Sequence, residues 1–287
     1  MTNLRYFLEF LIILFLFIIF KIVGYKNASN FGELIGKIIG PKFKSKKIIS
    51  ENIKIFNPNI KDEEMETIIK KMWGNYGRIL AEYPHIPNFR KKRLDNYLKI
   101  EGLENLEKIK ESKKPAVFIS GHFNNFELMA MTIERQGIEL SAVYRPLNNK
   151  FLNIVMEYLR KNYICKNQVK KGLKGVREAL SYFKEGKSLA IMIDQRVTEG
   201  VSVSLFGKNA YTTTIPAQFV KKFGCIIQPV FIQRVGGTKF ELLFDKHLNF
   251  NKDQNIESIT KKLNQWLEQK IIQNPDQWIW THNRWKH

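Results

Sequence analysis

Ala116-Val117-Phe118-Ile119-Ser120-Gly121-His122-Phe123-Asn124-Asn125-Phe126-Glu127 is the stretch on which the reading of this chain turns. The apolar run after Pro115 is short and predicts a buried strand over 116–120. Gly121 lets the backbone turn sharply, and a helix is predicted from about Asn125 to Arg135. The pattern repeats downstream. Leu140 to Tyr144 and Leu189 to Ile193 read as strands, with helices over Phe151–Lys161 and Leu173–Lys184, the latter closed by Gly186. Thr214 and Pro216 open another helix that runs to Phe223. Ile226–Arg234 and Lys239–Asp245 flank Gly236-Gly237 and predict a hairpin, and a last helix covers Ile256–Ile272. Such alternation predicts an α/β fold with a mixed central sheet flanked by helices, parallel at first and antiparallel at the hairpin. In such sheets, sites gather at the carboxyl ends of strands. Three polar clusters fall there: Gly121-His122, Arg145, and Asp194-Gln195-Arg196.

Upstream, Asp62–Tyr83 carries apolar residues at helical spacing and is stopped by Pro84 and Pro87. The chain begins differently. Phe10 to Phe20 is an unbroken run of eleven apolar residues, and Leu4–Val23 has the length of a bilayer-spanning helix. Arg5, Glu9 and Lys21 lie near its ends, and no small-x-small cleavage pattern follows. The expected organisation is a transmembrane or interfacial anchor helix over residues 1–24 and one folded domain over 25–287. Lys37, Lys42, Lys44, Lys46 and Lys47 come next, which by the positive-inside tendency places this side in the cytoplasm.

The net charge of +20, from 47 basic against 27 acidic residues, points to an anionic partner. No basic–aromatic motif of nucleic-acid binding accompanies it. Cys165 and Cys225 make no disulfide framework, so a reducing compartment is the simpler reading. There is no G-x-S-x-G elbow and no P-loop, and the histidines are too scattered for zinc.

Five positions apart on one helix, His122 and Glu127 would splay by about 140°. Across a strand–turn–helix junction they can face each other, with Glu127 accepting from one imidazole nitrogen and raising the basicity of the other. The spacing leaves a second reading open, in which Asn124 caps the helix with Glu127 at its third position and His122 is a loop histidine.

The order of the remaining blocks carries a resemblance. Trp73-Gly74-Asn75-Tyr76-Gly77-Arg78 with Glu82 is followed by Gly121-His122 with Glu127, Val143-Tyr144-Arg145-Pro146, Gly172, Asp194-Gln195 and Leu205-Phe206-Gly207. Pro229-Val230-Phe231 and the ending Pro275-Asp276-Gln277-Trp278-Ile279-Trp280-Thr281-His282-Asn283-Arg284-Trp285 complete the set. With the anchor, this resembles the lauroyl/myristoyl acyltransferases of late lipid A biosynthesis, within the lysophospholipid-type acyltransferase superfamily. The chain departs from the family pattern at Asn283-Arg284-Trp285, where an Arg-rich run is common, and at Arg196.

The resemblance implies transfer of a fatty acyl chain from acyl carrier protein to a hydroxyl of a lipid A precursor, without metal or cofactor. The expected setting is the cytoplasmic side of the inner membrane. It assigns His122 as general base, Glu127 as its orienting partner, and Arg145, Asp194 and Gln195 to substrate binding, with Asp194 organising Arg145 or the acceptor. Two rivals remain at this stage. One is a related acyltransferase acting on another glycolipid or phospholipid; the other is a basic, membrane-anchored binding protein without enzymatic activity.

Overall fold

A computed structural model describes residues 2–251 and 253–286; Met1 of the expected anchor and Lys252 and His287 of the expected domain lie outside it. The apolar N-terminal run forms α1 (Thr2–Val23). Gly24, with φ of 81°, reverses the chain into α2 (Tyr25–Ile39), which is followed by α3 (Lys46–Phe56) and α4 (Asp62–Glu82). Asp62, Glu63 and Glu64 fill the first turn of α4, where they complement the helix dipole. Its apolar stripe of Met65, Ile68, Ile69, Met72 and Trp73 is buried, as the periodicity predicts. A short helix α5 (Ile86–Arg90) leads to the sheet.

The sheet has seven strands in the order β1-β9-β8-β2-β5-β3-β4. These are β1 (Leu98–Glu101), β2 (Val117–Ser120), β3 (Leu140–Tyr144), β4 (Asn167–Lys170), β5 (Ser188–Met192), β8 (Ile227–Val235) and β9 (Lys239–Phe244). All pairings are parallel except β8–β9, the hairpin. Gly236 and Gly237 at its tip have φ of 57° and 81°, a backbone that needs glycine. β6 (Val201–Leu205) and β7 (Lys208–Thr212) form a separate antiparallel ribbon. Helices α6 (Leu103–Ser112), α7 (Glu127–Arg135), α8 (Lys150–Leu159), α9 (Leu173–Lys184), α10 (Ile215–Phe223) and α11 (Ile256–Gln273) complete the chain. β2 is buried at every residue, as a strand covered on both faces must be.

β5 lies between β2 and β3, so the chain leaves β2, passes through α7 and returns as β3 two strand positions away, with β5 filling the gap. The ends of β2, β5 and β3 are therefore neighbours, and the three polar clusters read from the sequence converge.

Candidate active site

His122 leaves the end of β2 and Asp194 lies two residues beyond β5, its parallel neighbour. The His122 Nδ1–Asp194 Oδ1 distance is 2.8 Å, and the His122 backbone N–H donates 2.6 Å to Oδ2. Trp278 Nε1 donates to the same Oδ2 at 2.9 Å. An ionised carboxylate only accepts, so Nδ1 carries the proton and Nε2 keeps its lone pair. Asp194 is fully buried. Burial works to raise its pKa, yet the His122 charge and the three hydrogen bonds outweigh it and hold the carboxyl below 3.8. Burial likewise works to lower the His122 pKa, but the Asp194 charge and hydrogen bond, with Glu127 behind them, hold it above 6.5.

The partner on Nδ1 is thus Asp194, where the sequence pointed to Glu127. Glu127 opens α7 and is buried. Its Oε1 accepts from Arg160 Nε at 2.8 Å, Arg160 Nη2 at 2.6 Å and the Tyr83 hydroxyl at 2.7 Å. The helical capping reading fails too. The residue before α7 is Phe126, and it makes no side-chain cap. Asn124 takes the left-handed turn, with φ of 43°, a conformation asparagine tolerates. Its Nδ2 donates to Gln277 Oε1 and, at 3.3 Å, to the Ile232 carbonyl. Asn125 Nδ2 donates 3.1 Å to Glu82 Oε2, and Glu82 in turn holds Arg234 through both carboxylate oxygens, at 2.7 and 3.1 Å. The sharp turn that the sequence assigned to Gly121 falls at Asn124 instead. Gly121 is small because Phe123, Leu267 and the Asp194 carboxylate occupy the space of a Cβ.

Arg160, Tyr83 and Trp278 are site residues that the sequence did not disclose. Tyr83 sits at the end of an amphipathic helix and Trp278 among aromatic core residues, so both read as packing. Arg160 begins a π-helical turn, Arg160–Ile164, that continues α8. Such turns are rare and cluster at functional sites, and a helical-wheel reading places their residues on the wrong face. Burial of the guanidinium works to lower its pKa, and Glu127 beside it more than reverses this.

A cavity of about 830 Å³ opens beside His122. Phe118, Met129 and Ile133, all buried, form part of its lining, with Ala142, Ile191 and Val230. Glu127, Arg145, Arg160, Gln195 and His282 supply polar groups to the same lining. Arg145 is exposed at the mouth and Gln195 is half-buried. Asp194 lies behind His122 and organises it, not Arg145. His282 Nε2 accepts the Arg196 backbone N–H at 2.9 Å, and burial pushes its pKa down to about 4, so it stays neutral with that lone pair engaged. Among the histidines lining the cleft, His122 alone combines a carboxylate on one nitrogen with an uncommitted second nitrogen. The arrangement can take a proton from an alcohol beside a long apolar cleft.

The family model for the bacterial lipid A biosynthesis acyltransferases matches residues 1–287. A lipid A biosynthesis lauroyltransferase of Escherichia coli is 24% identical over 98% of this chain and 92% of its own length. A lipid A biosynthesis palmitoleoyltransferase of the same organism is 23% identical over 89% and 83%. A lipid A biosynthesis acyltransferase of Haemophilus influenzae is 21% identical over 93% and 84%. With a match that runs the whole length of the sequence, the chain belongs to the bacterial lipid A biosynthesis acyltransferases.

Proposed function

We propose that this chain transfers a fatty acyl group from acyl carrier protein to a hydroxyl of a lipid A precursor, at the cytoplasmic face of the inner membrane. The observation that carries the reading is His122, held through Nδ1 by buried Asp194, beside an apolar cleft. Nε2 takes the proton of the acceptor hydroxyl as its oxygen attacks the thioester carbonyl carbon. A C–O bond forms and charge collects on the carbonyl oxygen. When that charge returns, the C–S bond breaks and the leaving thiolate takes the proton back from the imidazolium. Asp194 fixes the tautomer and stabilises the imidazolium.

Glu127 contributes its charge to the imidazolium from a distance, while fixing Arg160 in the cleft lining. Preorganised donors of this kind stabilise developing negative charge without moving at the moment of reaction. Arg145, exposed at the mouth, suits a phosphate of the acceptor, because a planar guanidinium pairs with phosphate oxygens in two places. Gln195 lines the same cleft and is assigned to acceptor binding. The apolar lining suits the fatty chain, whose burial is favourable by about 0.8 kcal/mol per methylene.

The test is lipid A mass after expression in a host lacking its own late acyltransferases. The wild-type chain is expected to add one acyl mass, and His122→Ala, folded and equally abundant, to add none. Loss of a positioned general base costs about 10² to 10⁴ in rate. Added mass from the His122→Ala chain overturns the mechanism; added mass on phospholipid alone overturns the acceptor.

A further inference from the structure

α1 touches the body of the protein from Tyr6 to Lys21. Its half-buried and buried positions are Tyr6, Glu9, Phe10, Ile13, Leu16, Phe17, Ile19 and Phe20, which follow one another along one face of the helix and mark one continuous stripe. At the N-terminal end, Asn149 Nδ2 donates to the Tyr6 carbonyl at 2.8 Å and to Glu9 Oε2 at 3.3 Å. Phe7 and Phe10 there meet the Phe151 ring of α8, at centroid distances of 5.5 and 6.2 Å. At the other end Phe17 stacks on Tyr83, His85 Nε2 is 2.9 Å from the Phe20 carbonyl, and Lys21 Nζ donates 2.8 Å to the Pro84 carbonyl.

A helix of this length rises about 33 Å, close to the hydrocarbon thickness of a bilayer. Were it to cross, everything flush against it would cross with it, including exposed Lys150 at one end and exposed Lys91 near the other. Charged side chains are costly inside a bilayer, and irregular backbone facing lipid is excluded. A flush helix of this kind is compatible with a membrane only if it lies parallel to the surface.

The stripe of α1 that faces away from the protein is apolar without a break: Leu8, Leu11, Ile12, Phe15, Ile18 and Ile22. It continues onto neighbours. Phe20 meets Phe31 of α2 at 6.3 Å, and Phe31, Leu34 and Ile38 of that helix are exposed. On α8, Ile154 and Tyr158 are exposed in the same way. Leu147 and Leu173, exposed by 37% and 84%, line the mouth of the cleft. Leu147 is two residues from Asn149, which binds α1, so the mouth and the helix adjoin. Phe43 stands exposed among Lys42, Lys44 and Lys47, an arrangement that matches an anionic headgroup layer over an acyl layer.

We propose that α1 lies flat in one leaflet of an anionic bilayer, and that with the outer faces of α2 and α8 it seats the mouth of the cleft at the headgroup–acyl boundary. This rests on the membrane setting proposed above and specifies its geometry. A lipid acceptor then reaches His122 sideways from the leaflet, without leaving it.

Leu8, Phe15 and Ile22 are seven residues apart and lie on nearly one line of the helix. In the full chain carrying Cys165→Ala and Cys225→Ala, a nitroxide is attached at Leu8→Cys, Phe15→Cys or Ile22→Cys in turn. Each protein is reconstituted in vesicles of phosphatidylethanolamine and phosphatidylglycerol, and depth is read from relaxation by oxygen against a water-soluble nickel complex. Equal depths at the three positions are expected, about 5–10 Å below the boundary. A depth that peaks at Phe15, or that changes steadily by about 10 Å per step along the helix, overturns the flat arrangement. Failure of the unlabelled wild-type chain to sediment with the same vesicles is a separate outcome, and it removes the membrane setting itself.

Discussion

His122 has a nearby carboxylate on either side, and only one of them is bonded to it. That distinction has a kinetic signature. The imidazole must be neutral to act as a base, so activity falls as pH drops through its pKa. Since Asp194 holds that pKa above 6.5, the acid limb of kcat/KM is expected above the ordinary histidine value. In Asp194→Asn the opposing effect of burial is left in charge, so the limb should shift to lower pH while kcat falls by about 10² or more. Glu127→Gln removes a more distant charge and frees Arg160, and its limb should move less. A pH–rate series on the two variants checks this; an unmoved limb in Asp194→Asn would return the orienting role to Glu127. At this scale the sequence pointed to His122, Glu127 and Asp194 but paired His122 with Glu127, where the bonded carboxylate is Asp194. His122 and Asp194 are 72 positions apart, and nothing in local spacing says that β5 will be the neighbour of β2. His122 and Glu127 are close in sequence, so proximity along the chain stood in for proximity in space.

Between elements, the tightest fit is the crossing of α2 and α4. Gly32 and Gly36 of α2, with Gly40 just past its end, recur every four residues and meet Gly77 and Trp73 of α4. A Cβ on Gly77 would fall on the Gly32 carbonyl, and one on Gly36 would fall on that of Trp73. Both obstacles are backbone, so neither can swing aside. Gly74 differs: a Cβ there meets only the side chains of Glu33 and Lys37, at 3.0 Å. Gly77→Ala is therefore expected to lose about 1–3 kcal/mol of stability, the usual cost of overpacking. Gly74→Ala should fall within about 0.5 kcal/mol of wild type, since it also gains helix propensity. Denaturant unfolding of the two variants separates them, and equal losses would contradict the crossing. The crossing matters because the end of α4 brings Glu82 to Asn125 and Tyr83, the next residue, to Glu127.

Helix α4, the strands at 140 and 189, the Gly236-Gly237 hairpin and the last helix were legible because their periodicity or turn chemistry is local. β1 and β4 were not. Both are four-residue edge strands with polar sequences, Leu-Lys-Ile-Glu and Asn-Gln-Val-Lys, whose strand state comes from the sheet they join. The β6–β7 ribbon was missed as well, although Val201, Val203 and Leu205 alternate in the manner of a half-buried strand.

For the whole molecule, the surplus of twenty positive charges has two prospective users, the membrane and the acyl donor. Acyl carrier protein is acidic over an extended face, whereas acyl-coenzyme A offers a few phosphates. With the acceptor saturating in detergent, kcat/KM is expected to be higher for the carrier protein and to fall more steeply with salt. Exposed charges are screened beyond about 8 Å at physiological ionic strength, which weakens an extended face most. Equal use of both donors with one salt response would leave the charge to the membrane and the phosphosugar. The net charge and the apolar N-terminal run were visible at once, since composition needs no folding. How the run lies against the body was not, because between Phe10 and Phe20 the stripe that faces the protein and the one that faces away are alike apolar.

The tie between Asn124 and Gln277 joins positions 153 residues apart. The Trp278 bond to Asp194 spans 84, and the Asn125 bond to Glu82 spans 43. The loop that carries His122 is thus closed by long-range pairings, and the cost of closing such loops rises with the length of chain between the partners. No local fragment of this protein, however well it holds its helices, contains a finished site. Competence therefore requires these long-range contacts, and a partly folded chain that lacks them has no assembled site.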